Sequence, residues 1–208
     1  MTGGPSGARR TVVHLVRHGE VYNPDNILYG RLPGYHLSSR GRSMAARTAR
    51  EFEGHDVTVL KASPLTRAQE TAEPFAEVTG LEVQPCEQII EAQNQFEGMR
   101  KGFRTALEHP EMAPLLRSPS IPSWGEPYAV IASRMMEAVY DARREAEGHE
   151  AILISHQLPI VMVQRVARGQ RLAHNPLVRH CGLASVTSLV FEGTRIVDCV
   201  YSTPAKEI

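Results

Sequence analysis

Three short stretches carry residue types suited to handling a phosphoryl group. Arg17-His18-Gly19-Glu20 follows the apolar run Thr11 to Val16. Ser63-Pro64-Leu65-Thr66-Arg67 follows Val57 to Lys61. Ser155-His156 closes the run that starts at Ala151. Arg17 and Arg67 offer planar forks of donors that match phosphate oxygens. A histidine attacks phosphorus when one ring nitrogen carries a lone pair. Gly19 lets the backbone pass close to a ligand. Alone, a histidine or arginine just past a strand is a solvated or capping residue. Three such stretches, each at a strand exit, point instead to one shared site.

Positioning them requires a sheet. Thr11 to Val16, Val57 to Lys61 and Ala151 to Ser155 are short, β-branched and apolar, as in strands covered on both faces. Helices are expected from Ser38 or Ser39 to about Glu53 with Gly54 as stop, from a Ser63 N-cap with Pro64 at the first helical position to near Gly80, from Pro127 to Glu147, and from Leu158 to Ala167. In the third of these, Val130, Ile131, Met135, Ala138 and Val139 form the apolar face. A strand is expected at Leu81 to Val83. Ser185 to Phe191 and Arg195 to Tyr201 read as a hairpin around Glu192-Gly193-Thr194. Strands alternating with helices predict a three-layer α/β/α sandwich with a mostly parallel sheet and an antiparallel edge strand. Ligands of such sheets bind beyond the carboxyl ends of the strands, where the three stretches lie. Arg67, in the first turn of its helix, would add the helix dipole to an anion site.

The chain has 208 residues, which suits one domain over residues 11–208. Residues 1–10, MTGGPSGARR, are expected to form a mobile tail. The proline-broken stretch at about 91–125 is expected to cap one end. Lys plus Arg and Asp plus Glu number 23 each, so nothing favours general binding to nucleic acid or a membrane surface, and anion recognition must be local. Cys86, Cys181 and Cys199 form no CxxC pair, which fits a reducing, cytoplasmic setting. No stretch reads as a signal peptide or a transmembrane span. His174 and His180 make a poor ligand pair by spacing, so no metal is expected.

Leu15-Val16-Arg17-His18-Gly19-Glu20 with Asn23, then Ser63-Pro64-Leu65-Thr66-Arg67-Ala68-Gln69-Glu70-Thr71-Ala72, then Ile154-Ser155-His156 resembles the three motifs of the histidine phosphatase, or phosphoglycerate mutase-like, superfamily. Gly30-Arg31 and Leu37-Ser38 through Gly41 fit the same pattern. The resemblance runs from about Val12 to about Tyr201. It implies that His18 is the nucleophile and that Arg17, Arg67 and His156 bind the phosphoryl oxygens. Asn23 would add a hydrogen bond, and no metal or other cofactor would be needed. Glu91, in Ile90-Glu91-Ala92-Gln93-Asn94, resembles the family's acidic position and would protonate the leaving alcohol. Glu97 is the nearby rival. The chain lacks RHGxRxP and an acid directly after His156, so it resembles the mutase and small-phosphatase branch. It departs from that branch at Val21, where Thr is common, and in the loop Gly30 to Leu37, which lacks a common Asp.

The implied activity is a metal-independent phosphomonoesterase acting on a small phosphorylated metabolite. A phosphoglycerate mutase and a non-catalytic phosphate-binding module are the alternatives. The end of the chain, 202–208, carries no long basic extension, which favours hydrolysis. Arg100, Lys101, Arg104 and Arg117 could meet a second anionic group or form a solvated basic face. The sequence does not set the oligomeric state.

Overall fold

A computed structural model describes residues 10–100 and 124–208. The expected tail up to residue 9, and residues 101–123 of the expected cap with Lys101, Arg104 and Arg117, lie outside the described residues.

Six strands form one sheet among the described residues, in the order β3-β2-β4-β1-β5-β6. They are β1 (Arg10–Arg17), β2 (Val57–Ala62), β3 (Gln84–Pro85), β4 (Glu150–Ser155), β5 (Val186–Glu192) and β6 (Arg195–Ser202). β1, β4, β2 and β3 are parallel neighbours, whereas β5 runs against both β1 and β6. The helices are α1 (Ser39–Ala49), α2 (Thr66–Thr79), α3 (Tyr128–Glu145) and α4 (Gln157–Ala167), with a 3₁₀ turn at Arg50–Phe52 and another at Glu87–Ile89.

Side-chain alternation along the central strands explains the layers. Val13, Leu15, Ala151 and Leu153 pack with α3 and α4 residues such as Ile131, Met135 and Ile160. Val16, Leu60, Ile152 and Ile154 pack on the opposite face with Ala68, Ala72 and Phe75 of α2 and with Ala49 and Phe52. Leu153 and Ile154 are fully buried on opposite faces, each contributing about 1.5–3 kcal/mol of transfer free energy. Both faces are therefore covered, as the continuous apolar runs predict.

Several expectations need correction. Residues 81–83 are not a strand; the pairing with β2 falls at Gln84–Pro85. Ser63 is not the cap of α2, which starts at Thr66 with Leu65 at the N-cap position. The Ser63 N–H instead donates to the Ile154 carbonyl (2.9 Å), extending the β2–β4 ladder by one rung. Val130 is 51% exposed and lies outside the apolar face of α3. The α1 segment stops at Ala49 and tightens into the 3₁₀ turn before reaching Glu53. Among the described residues, no helix is long and apolar enough to cross a membrane.

Candidate active site

The strand exits are bolted together by backbone bonds. The His18 N–H donates to the Ser155 carbonyl (3.0 Å) and the Arg17 N–H to the Ser185 carbonyl (3.0 Å). Arg17 lies level with Ser155 in the register. Arg17-His18, Ser63 and Ser155-His156 thus share one end of the sheet for a topological reason.

The loop after β1 is pressed onto the start of α1. A β-carbon on Gly19 would stand 2.4 Å from the Gly41 carbonyl oxygen, and one on Gly41 would stand 2.0 Å from that of Glu20. Both positions need glycine because two backbones touch. Gly19 therefore serves packing against α1, where the sequence had suggested access for a ligand. Ser38 caps α1 by accepting the Gly41 N–H (2.9 Å) and donates its hydroxyl to Glu20 (2.7 Å). That bond, with Arg40, holds the Glu20 carboxyl below the usual carboxylate range. On α2, Thr71 accepts the Gly19 N–H (3.1 Å), and Glu70 accepts the Leu37 N–H (2.6 Å). The polar residues around the two motifs thus hold the loop in place.

His18 is buried, and its Nδ1 lies 2.7 Å from the Gly19 carbonyl oxygen. A carbonyl only accepts, so Nδ1 carries the proton and neutral His18 has its lone pair on Nε2. The His156 ring lies 5.2 Å away, centroid to centroid. His156 is fully buried, with Nε2 2.7 Å from the Ser63 hydroxyl. Burial first, then the charges of Arg67, His18 and Arg17, push its pKa well below the ordinary imidazole value. His156 is therefore neutral. The Ser63 hydroxyl can donate to Nε2, which is the arrangement that puts the proton on Nδ1.

Arg67 is 1% exposed. It donates to the Gly30 carbonyl (2.7 Å), and its guanidinium lies 4.8 Å from the Tyr29 ring centroid. Burial lowers its pKa, opposed by Glu91, Tyr29 and Glu97. Arg17 donates to the Cys181 carbonyl (2.6 Å). Arg17 Nε, Arg67 Nε and His156 Nδ1 are all buried without a hydrogen-bond partner among the described residues. Buried polar groups are almost always satisfied, so three orphan nitrogens, at the ends of β1 and β4 and in the first turn of α2, are a strong sign of a ligand-receiving site.

A pocket of about 170 Å³ is lined by Arg17, His18, Tyr29, Glu91, Tyr128 and Arg179 among others, whereas Arg67 and His156 are not among its lining residues. Glu91 is partly buried, and its carboxylate accepts the Ala92 N–H (2.9 Å). Desolvation raises its pKa despite that bond and despite the nearby charges of Arg67, Arg17 and Arg179. A raised carboxyl pKa suits a group that must give up a proton near neutral pH. Glu97 does not line this pocket; it faces a neighbouring cavity, with its carboxyl beside Gly30. Asn23 does not line the pocket either. Its amide donates to the Ile27 carbonyl (2.8 Å) and accepts the Ile27 N–H (2.9 Å), so the side chain closes its own loop. Arg100 pairs with Asp25 at 3.4 Å.

Sequence reasoning missed what holds Glu91. Four consecutive carbonyls leading to it are each gripped by a side chain. Arg134 donates to Gln88 (2.6 Å) and Ile90 (2.8 Å), Ser155 to Ile89 (2.7 Å) and Arg31 to Glu91 (2.6 Å). Glu126 ties the two arginines together, taking a two-pronged contact from Arg134 (2.8 and 3.0 Å) and one from Arg31 (3.0 Å). Arg134 sits one turn after Val130 on the edge of the α3 apolar face, the sole hint in the sequence. Cys181 is no rival nucleophile, because burial pushes its thiol up to about 11.

Residues 13–200 match the model of the histidine phosphatase superfamily (branch 1). The chain is 51% identical to uncharacterized protein Rv0525 of Mycobacterium tuberculosis over 196 residues, covering 94% of this chain and 97% of that one. Its fold is similar to that of Bacillus stearothermophilus YhfR, with TM-score 0.77, 22% identity and coverage of 89% and 94%. It is also similar to mycobacterial glucosyl-3-phosphoglycerate phosphatase Rv2419c, with TM-score 0.73, 23% identity and coverage of 93% and 97%. The sheet order and flanking helices are those of the phosphoglycerate mutase-like fold. Taken with the converging strand exits, the match over nearly the whole chain places this protein in the histidine phosphatase superfamily, branch 1.

Proposed function

We propose that this protein hydrolyses phosphomonoesters of small metabolites through a phosphohistidine at His18. The observation that carries the proposal is the set of three orphan nitrogens among the described residues, on Arg17, Arg67 and His156, with the His156 ring 5.2 Å from that of His18 and both guanidiniums near enough to act on His156. A phosphoryl group supplies the oxygen acceptors those donors lack.

In the first step the His18 Nε2 lone pair forms a bond to phosphorus, and the bond from phosphorus to the ester oxygen breaks. Protonated Glu91 gives its proton to the leaving oxygen, so an alcohol departs. In the second step Glu91, now a carboxylate, takes a proton from water as that water attacks phosphorus. The P–N bond breaks, its electrons return to Nε2, and inorganic phosphate leaves. Arg17, Arg67 and His156 stabilise charge on the oxygens that do not react. Asn23 acts by shaping the loop that carries Tyr29, through its two bonds to Ile27. Arg179 lies at the pocket with its Nε donating to His174 (2.9 Å), where it can meet a second polar group of the substrate.

A panel of phosphomonoesters, with acid-labile phosphoenzyme trapped in parallel, tests the proposal. Phosphate release with a labelled histidine in wild type, and neither in His18→Ala, is the expected result. Isomerisation of 3-phosphoglycerate without phosphate release would make the protein a mutase instead. Turnover equal and negligible in wild type and His18→Ala would make it a binding module.

A further inference from the structure

We propose that His14, His55 and Glu150 form a binding site for one late first-row divalent metal ion, with zinc the best match. The site is centred on the middle of β1, where Glu150 opens β4 level with Val12, whereas His18 follows the strand's end. Three residues, Leu15, Val16 and Arg17, separate His14 from His18, a four-residue step of roughly 13 Å.

Each residue offers one ligand atom, and the three atoms lie within 4.8 Å of one another. His14 Nε2 is 2.9 Å and His55 Nδ1 is 2.8 Å from the same oxygen, Oε2 of Glu150. In a tetrahedral site with bonds of about 2.0–2.1 Å, ligand atoms stand roughly 3.4 Å apart. The two nitrogen–oxygen separations are shorter than that and no pair exceeds 4.8 Å, so small rotations of the side chains accommodate the ion. Two imidazoles and one carboxylate suit zinc, cobalt or nickel, whereas magnesium and calcium take oxygen ligands.

The ligands sit on braced positions. His14 is central in β1, opposite Ser188 of β5, and Glu150 opens β4 level with Val12. Phe52 packs its ring against both imidazoles, at 4.9 Å and 5.4 Å between centroids. The Ser188 hydroxyl lies 2.8 Å from His14 Nδ1. Metal-ligating histidines nearly always donate their other N–H to such a partner. When the ion binds, the His14 proton moves from Nε2 to Nδ1, where the Ser188 oxygen accepts it. The His55 proton moves to Nε2, on a side chain that is 42% exposed. The same exposure leaves a coordination position open to water. The lone histidines of the sequence gave no such spacing, because the three ligands come from three separate elements.

The test uses the untagged full chain, stripped with a chelator and titrated with zinc chloride at neutral pH, with cobalt as a spectroscopic probe. One zinc per chain at micromolar affinity or tighter, with a tetrahedral cobalt spectrum, is expected. His55→Ala and Glu150→Gln should each weaken zinc binding about tenfold or more, while His149→Ala, at the neighbouring pair with Asp56, should not. No binding up to about 1 mM zinc, or undiminished affinity in either ligand variant, overturns the proposal. Because His55 is exposed, its removal tests the site without disturbing the core.

Discussion

His14 lies within β1 and His18 four residues on, just past its end; both are buried, and their surroundings oppose each other. His18 is held by a backbone carbonyl and stands among Arg17, Arg67 and neutral His156. His14 is held by a hydroxyl and a carboxylate, with a second imidazole on that same carboxylate. The first environment gathers donors and cations and fits an anion. The second gathers a carboxylate and ring nitrogens and fits a cation. A buried histidine therefore takes its chemistry from the atoms that meet its two ring nitrogens.

The sharpest way to break the contrast is to remove the imidazole at the anion end. His18→Ala should lower phosphate release on the order of 10⁴-fold or more, read in a steady-state assay, with no labelled histidine. Next comes Glu91→Gln. Against an alkyl phosphate, turnover should fall about 10²–10⁴-fold. Against p-nitrophenyl phosphate, whose leaving group needs no proton, the loss in the first step should be much smaller. The raised Glu91 pKa sets the sign of the pH dependence. On the proposed mechanism the first step uses the acid form, so its rate should fall as pH rises through a pKa above the ordinary carboxylate value. In Glu91→Gln that alkaline limb disappears.

A third substitution asks whether the carbonyl clamp positions the acid. Arg134→Ala should cost about 10²-fold in turnover, since misplacement near 1 Å has that scale. It should also shift the alkaline limb to lower pH, because a loosened Glu91 gains water. Loss of turnover with an unmoved pH profile would assign Arg134 to stability alone. Fourth, Gly19→Ala forces a β-carbon onto the Gly41 carbonyl and should destabilise the fold by about 1–3 kcal/mol, measured by urea unfolding. The smallest expected change sharpens the comparison from the cation end. His55→Ala should leave phosphate release within about twofold of wild type while weakening zinc binding.

Glu126 completes the clamp, and its ionisation can be read in acid. Burial raises its pKa, but Arg134 and Arg31 outweigh that and hold it below the usual value. The stability it contributes is present above the ordinary carboxylate pKa and is lost as pH falls through the lower folded value.

Much of the site was legible because strand exits are legible. Apolar runs ending in Arg17-His18, Ser63 and Ser155-His156 can only be neighbours if the strands are parallel, and parallel pairing is what continuous apolar runs require. Ser63 misled because Ser-Pro is a good helix start. The tertiary ladder took its N–H for Ile154, and His156 took its hydroxyl. The Asn23 amide is engaged by the Ile27 backbone, a contact that no sequence pattern announced.

By itself the sequence determined the layered α/β fold, the order of the strand exits and the residues that meet at them. Those follow from local periodicity and from the chirality and burial rules of parallel sheets. Only the tertiary structure decided which carboxylate faces the pocket, how Arg134, Glu126 and Arg31 grip the chain before Glu91, and that His14 meets His55 and Glu150. Those contacts join residues far apart in the chain through side-chain geometry, and no local pattern encodes where such side chains converge.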